Sequence, residues 1–108
     1  LHFAKGNIFE NLVISEMYKN SINNATKSKI YFWRDKSQNE VDLIVETGVR
    51  LDAIEIKSAK TIYQNQFRGL DYFKNLKADT NLHLVYGGNE NQERTNYSVH
   101  SILNLPQF

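Results

Sequence analysis

An α/β sandwich with a mixed sheet is the fold class that this sequence predicts, on three observations. A helical pattern opens the chain, three consecutive β-like runs follow, and a second helical pattern separates those runs from a further strand. A strand reached through a helical crossover can pair in parallel with an earlier one, which makes the sheet mixed.

Each element has its own signal. Phe9, Leu12, Val13 and Met17 fall at three- and four-residue spacings, so a helix is expected over roughly residues 3–21, with Asn23-Asn24 as the break. Ile30-Tyr31-Phe32-Trp33 is β-branched and aromatic, and residues 35–39 read as a polar turn. Val41, Leu43 and Val45 then alternate with Glu40, Asp42, Ile44 and Glu46 at strand period. Thr47-Gly48-Val49-Arg50 turns the chain into a third strand over residues 51–58. Helical spacing returns over residues 61–76 through Phe67, Leu70, Phe73 and Leu76. Leu82 to Tyr86 is a fourth strand ended by Gly87-Gly88; a loop runs to Arg94, and Tyr97-Ser98-Val99 is a short last strand.

Composition bounds the function without choosing one. In 108 residues, 41% hydrophobic residues can supply a single core, and with one proline, no repeat and no linker the whole of 1–108 reads as one domain. The net charge of +1 does not mark a nucleic-acid binder, yet a small basic groove can hide inside a balanced total. Without cysteine there are no disulfides and no thiolate metal sites, which is compatible with a reducing, cytoplasmic setting. No apolar run reaches membrane-spanning length and the first residues do not read as a signal peptide, so no membrane partner is expected. The chain opens at Leu1 rather than methionine and enters helical pattern almost at once, as a piece cut from a longer protein would.

The chemistry concentrates on the second and third strands. If Glu46 pairs with Leu51 across the turn, antiparallel counting sets Asp42 opposite Glu55, and alternation puts Lys57 on the face of Glu55. The other face then carries Val41, Leu43, Val45, Ile54 and Ile56 as core. Two carboxylates directly opposite on a sheet repel each other, and a divalent cation between them reverses the sign of that interaction. A lysine beside them can orient or deprotonate an attacking water, or stabilise charge developing on phosphate. The plainer account is a solvated hairpin face. On the first helix, at roughly 100° per residue, Glu16 falls between Leu12 and Val13 in the apolar face, and Glu10 lies at its edge beside Met17. An inward carboxylate needs a partner, either a basic side chain or a metal.

Gly6-Asn7-Ile8-Phe9-Glu10, Glu40-Val41-Asp42 and Glu55-Ile56-Lys57 together resemble, in order and spacing, the three motifs of PD-(D/E)XK nucleases, nearest the branch with archaeal Holliday-junction resolvases. More narrowly, Phe32-Trp33-Arg34-Asp35 through Glu40-Val41-Asp42 to Ala53-Ile54-Glu55-Ile56-Lys57 resembles the domain of unknown function 4143, found at the C-terminus of predicted AAA+-type ATPases. The resemblance covers roughly residues 4–86 and implies a restriction-endonuclease-like αβββαβ core. It also implies a Mg²⁺- or Mn²⁺-dependent endonuclease acting on DNA, branched DNA included, joined to an N-terminal ATPase portion. By that resemblance Asp42, Glu55, the backbone carbonyl of Ile56 and Glu10 hold the metal, Lys57 is the catalytic lysine, and Glu16 is a second acidic position. Valine stands before Asp42 where the superfamily's name has proline. No G-x-x-x-x-G-K-[ST] loop occurs, so these residues carry no ATP site of that kind.

Among the remaining residues, Arg34 and Lys60 are the basic side chains singled out for DNA. Gln64 and Gln66 open the second helix, as functional glutamines or as a solvated helix start. Phe32 and Trp33 are candidates for base stacking or for core, and His83 is expected to be structural, the three histidines lacking metal-ligand spacing. Against the nuclease stands an inactive nuclease-fold module used for DNA binding or for contacts within an ATPase assembly.

Overall fold

The computed structural model describes residues 8–23 and 28–105, with backbone alone at 21–23. In chain order the elements are α1 (Ile8–Asn23), β1 (Ser28–Arg34), β2 (Glu40–Thr47), β3 (Arg50–Lys57), a 3-10 turn (Gln64–Phe67), α2 (Arg68–Leu76), β4 (Asn81–Tyr86), β5 (Gln92–Glu93), β6 (Ser98–Ser101) and a closing 3-10 turn (Ile102–Asn104). The helix start expected near Phe3, the Gly6-Asn7 pair, His2, Asn24 and Pro106 lie outside the described residues.

The strands form one six-stranded mixed sheet in the order β1-β2-β3-β4-β6-β5. β1, β2 and β3 run as an antiparallel meander, while β3 with β4 and β4 with β6 are parallel. The crossover through α2 makes the β3–β4 pair parallel, as the element order predicts. Gly48 takes φ 61° at the first position of the β2–β3 turn, the backbone a two-residue hairpin of Gly-X type demands. That turn sets Glu46 opposite Leu51 and carries the ladder in as far as Leu43 with Ile54.

Both faces of the sheet are buried. On one, Leu43, Val45, Ile54, Ile56 and Val85 meet Val13, Ile14 and Met17 of α1. On the other, Val41, Ile44, Ala53, Leu82, Leu84 and Val99 meet Phe67, Leu70 and Phe73 around α2. Val41 therefore lies on the face opposite to the one its alternation predicts. A β-bulge is the reason: the β1–β2 register shifts between Tyr31 and Trp33, so Phe32 stands against two residues of β2, Asp42 and Leu43.

Other expectations need correcting. The inward stripe of α1 is Val13, Ile14 and Met17, whereas Leu12 is half exposed. Glu16 consequently does not lie in the apolar face; it forms an exposed ion pair with Lys19, one turn on, at 3.5 Å. The helical stretch opens with the 3-10 turn at Gln64 rather than at Thr61, and α2 itself starts at Arg68, because Tyr63 is extended and its N–H is taken by the Gln66 side chain at 2.8 Å. That bond makes Gln66 a helix-start residue, and Gln64 is exposed. Gln92 and Glu93, read as loop, pair with Val99 and Ser98 as the short edge strand β5.

Candidate functional site

The β-bulge that moves Val41 also decides where Asp42 points. Beyond Leu43 and Ile54 the regular ladder stops, and the Asp42 carboxylate takes its place, accepting the Ile56 N–H at 2.8 Å. In an antiparallel pair a residue's N–H and C=O face the same edge of its strand, so the Ile56 carbonyl is directed to this same gap. Asp42 thus lies in the seam between β2 and β3, within reach of both faces of the sheet.

Glu55 approaches from the α2 side. It is 7% exposed, and its carboxyl pKa is driven far above the ordinary carboxylate range. Burial is the largest cause, followed by a carboxyl–carboxylate hydrogen bond with Asp42 and by Asp42's charge; Lys57 and the Asp42 N–H act in the opposite direction. Glu10 arrives from α1 and is raised to about 7, again by burial first, then by a hydrogen bond with Asp42 and the charge of Asp42, with Lys57 opposing and Glu40 adding. Glu10, Asp42, Glu55 and Lys57 are therefore gathered at one place from three elements. Glu10 and Glu55 each hydrogen-bond to Asp42, an arrangement unfavourable for their ionised forms.

Packing keeps the cluster in position. A Cβ at Gly69, in the first turn of α2, would fall 2.2 Å from the Glu40 carbonyl oxygen and 3.5 Å from Glu55 Oε2. Only glycine lets α2 rest this closely on the start of β2 and cover Glu55. At the far end of β3, Gly87 N–H donates to the Ala59 carbonyl at 3.0 Å and ties the residues after Lys57 to β4.

The donor set is all oxygen: two carboxylates that already approach each other and a backbone carbonyl facing the same gap. Hard divalent cations that retain water suit such a set. Among the described residues no group of three or more His, Asp or Glu side chains forms a ready-made ion cage.

The remaining candidates separate. Glu16 stays with Lys19, away from the cluster. Arg34 is half exposed and bonded to Glu40, and Lys60 is exposed beyond the end of β3. Trp33 packs edge-on to Phe73, with ring centroids 5.1 Å apart, and 6.1 Å from Tyr72, so it belongs to the core.

A second polar group lies on the α1 face, unforeseen as a unit. Asp52, fully buried, accepts from Arg50 Nε at 2.9 Å and pairs with His83 Nε2 at 2.8 Å; His83 Nδ1 is 2.9 Å from His100 Nε2. His83 is structural as expected, but it and His100 are spatial neighbours, not scattered. An acidic residue at the parity of Ile54 and Ile56 was the available signal, because an inward carboxylate in an apolar strand must have a partner.

No helix among the described residues is long and apolar enough to cross a membrane. Comparison with curated proteins gives no match. A family model, by contrast, matches residues 5–108, and the chain belongs to the family described as Domain of unknown function (DUF4143).

Proposed function

We propose that this domain is a metal-dependent nuclease module with a restriction-endonuclease-like core that hydrolyses DNA phosphodiesters, in a protein that also carries an AAA+-type ATPase. The observation that carries this reading is the convergence of Glu10, Asp42, Glu55 and Lys57, with two carboxyl groups held well above their ordinary pKa. Perturbed, mutually coupled carboxyls in one place are a recurrent property of catalytic sites.

In this reading Asp42 and Glu55, with the Ile56 carbonyl, hold Mg²⁺ or Mn²⁺, and Glu10 binds directly or through water. When bound, the ion supplies charge neutralisation for the phosphate and acidifies a water. Lys57, whose charge acts on both Glu10 and Glu55, orients the attacking water and offsets charge developing on the phosphate. Covering of Glu55 by α2 limits competing solvent and strengthens each of these interactions.

The test is incubation of the intact protein with linear, single-stranded and branched DNA plus Mn²⁺ or Mg²⁺, beside Lys57→Ala and Asp42→Asn. Metal-dependent cleavage that falls by about 100-fold or more in both variants supports the reading. Equal cleavage by all three proteins would sink it. The net charge of +1 favours the second reading, a catalytically silent module for DNA binding or ATPase-assembly contacts. Metal binding and DNA binding without any cleavage would select that one.

A further inference from the structure

Arg34 occupies an unusual setting for a surface arginine. Among the described residues β1 is one of the two edge strands of the sheet, and Arg34 stands opposite Glu40 at its end. Nε and Nη2 both donate to Glu40 Oε2, at 3.2 and 3.1 Å, and the guanidinium carbon lies over the Phe32 ring, 5.7 Å from its centroid. The guanidinium is thus held from below by an aromatic ring and at one edge by a carboxylate. Its side chain remains 53% exposed. Phe32 stands opposite the bulge that carries Asp42, and the charge of Glu40 is felt at Glu10, so this assembly borders the carboxylate cluster.

The assembly is poorly suited to gripping phosphate and well suited to stacking. Glu40 neutralises the local charge of Arg34, which weakens attraction for an anion. A guanidinium seated over an aromatic ring and fixed at its edge instead offers a restrained planar π surface with little rotamer entropy left to lose. Nucleic-acid bases stack on such surfaces without sequence preference. Bases inside an intact duplex already stack on each other and show no free face, so the ligand must carry an unpaired base.

We infer that Arg34, seated on Phe32 and held by Glu40, is a stacking platform for an unpaired DNA base beside the carboxylate cluster, so that the domain engages single-stranded or locally unpaired DNA. This rests on the nuclease reading above and narrows its substrate class.

The test measures equilibrium binding of the intact protein to a single-stranded oligonucleotide and to its duplex, with Mg²⁺ present and Lys57→Ala as background to suppress cleavage. Arg34→Lys keeps the charge and loses the plate; Arg34→Ala loses both. Both variants are expected to bind the single strand about tenfold or more weakly, with duplex affinity little changed. The slope of affinity against salt should stay as in the parent. Arg34→Lys binding like the parent, or a salt slope reduced by about 0.7 in Arg34→Ala, would mean a phosphate contact and overturn the inference. If the variants bind the single strand like the parent while the protein with Lys57 intact still cuts DNA, the platform falls and the nuclease stands. If DNA in no form is bound or cut, both fall together.

Discussion

Two polar clusters are built on the same strand, and they are opposites. Asp52 and Glu55 are three residues apart on β3, on opposite faces of the sheet and toward opposite ends. Asp52 is fully buried, yet Arg50 and His83 hold its pKa below the ordinary value against the desolvation that raises it. Its cluster alternates donors and acceptors from Arg50 through Asp52 and His83 to His100, and one proton fills the gap between the two imidazoles. Glu55 is raised first by burial and then by the Asp42 carboxylate, with a single lysine opposing, so its pKa moves up instead. The first cluster satisfies itself and calls for nothing more. The second is electrostatically incomplete, and that incompleteness, rather than burial, marks it as the functional candidate.

The contrast can be broken most forcefully at Asp52. Asp52→Ala should lower unfolding free energy by about 3–5 kcal/mol, because it strands Arg50 and a buried histidine. Chemical denaturation would show it, and a loss below about 1 kcal/mol would mean that the chain from Arg50 to His100 contributes little. Next comes Gly69→Ala, expected to cost about 1–3 kcal/mol as α2 is pushed off the Glu40 carbonyl. The same variant should expose Glu55 and bring its pKa down toward the ordinary range, readable by carboxyl NMR titration.

Glu55→Gln should act in the reverse direction. Its amide N–H replaces the proton that Glu55 shares with Asp42, so in metal-free protein at pH 8 stability should rise by on the order of 1 kcal/mol. A fall instead would show that the carboxyl cluster is not under electrostatic strain.

The pH profile carries both signs at once. Glu10 and Glu55 have folded pKa values raised above the unfolded one, so their stabilising contribution is present below pH 4.5 and is lost as pH rises through about 7 and beyond. His100, lowered from 6.5 to about 4 first by burial and then by His83, contributes stability that is present above 6.5 and lost as pH falls through about 4. Asp52 adds an acid loss below its ordinary 3.8. Melting temperatures without metal should therefore fall on both sides of a mildly acidic optimum. Glu55→Gln should flatten the alkaline limb alone, and His100→Gln the acid limb alone. Mg²⁺ at pH 8 should restore the alkaline limb if the carboxyls bind it.

How much of this was legible in the sequence follows from the range of the interactions involved. The β2–β3 register was readable because Gly48 closes a two-residue turn, so Glu46 opposite Leu51 follows from local backbone geometry. The register could be counted inward from there as far as Leu43 and Ile54. Leu12 was assigned to the inward side of α1, and Ile14 was not, because an apolar residue on both flanks of a helix leaves its rotation to be chosen by the sheet it packs on. Glu16 moved out of the site with that same rotation. β5 could not be read because Gln92 and Glu93 have no strand pattern of their own and exist as a strand only through β6.

What the sequence determined by itself, then, is whatever one or two neighbouring elements decide: the α/β order, the parallel return after α2, the β2–β3 turn, and the register across it from Thr47–Arg50 to Leu43–Ile54. Tertiary structure alone decided the bulge that turns Val41 and Asp42, the helix face that brings in Glu10 and leaves Glu16 outside, and the joining of His83 to His100. The physical reason is the same in each case. A turn is set by a few backbone dihedrals, whereas the direction of a side chain at a bulge or on a helix with apolar residues on both flanks is set by what packs on it from elsewhere in the chain.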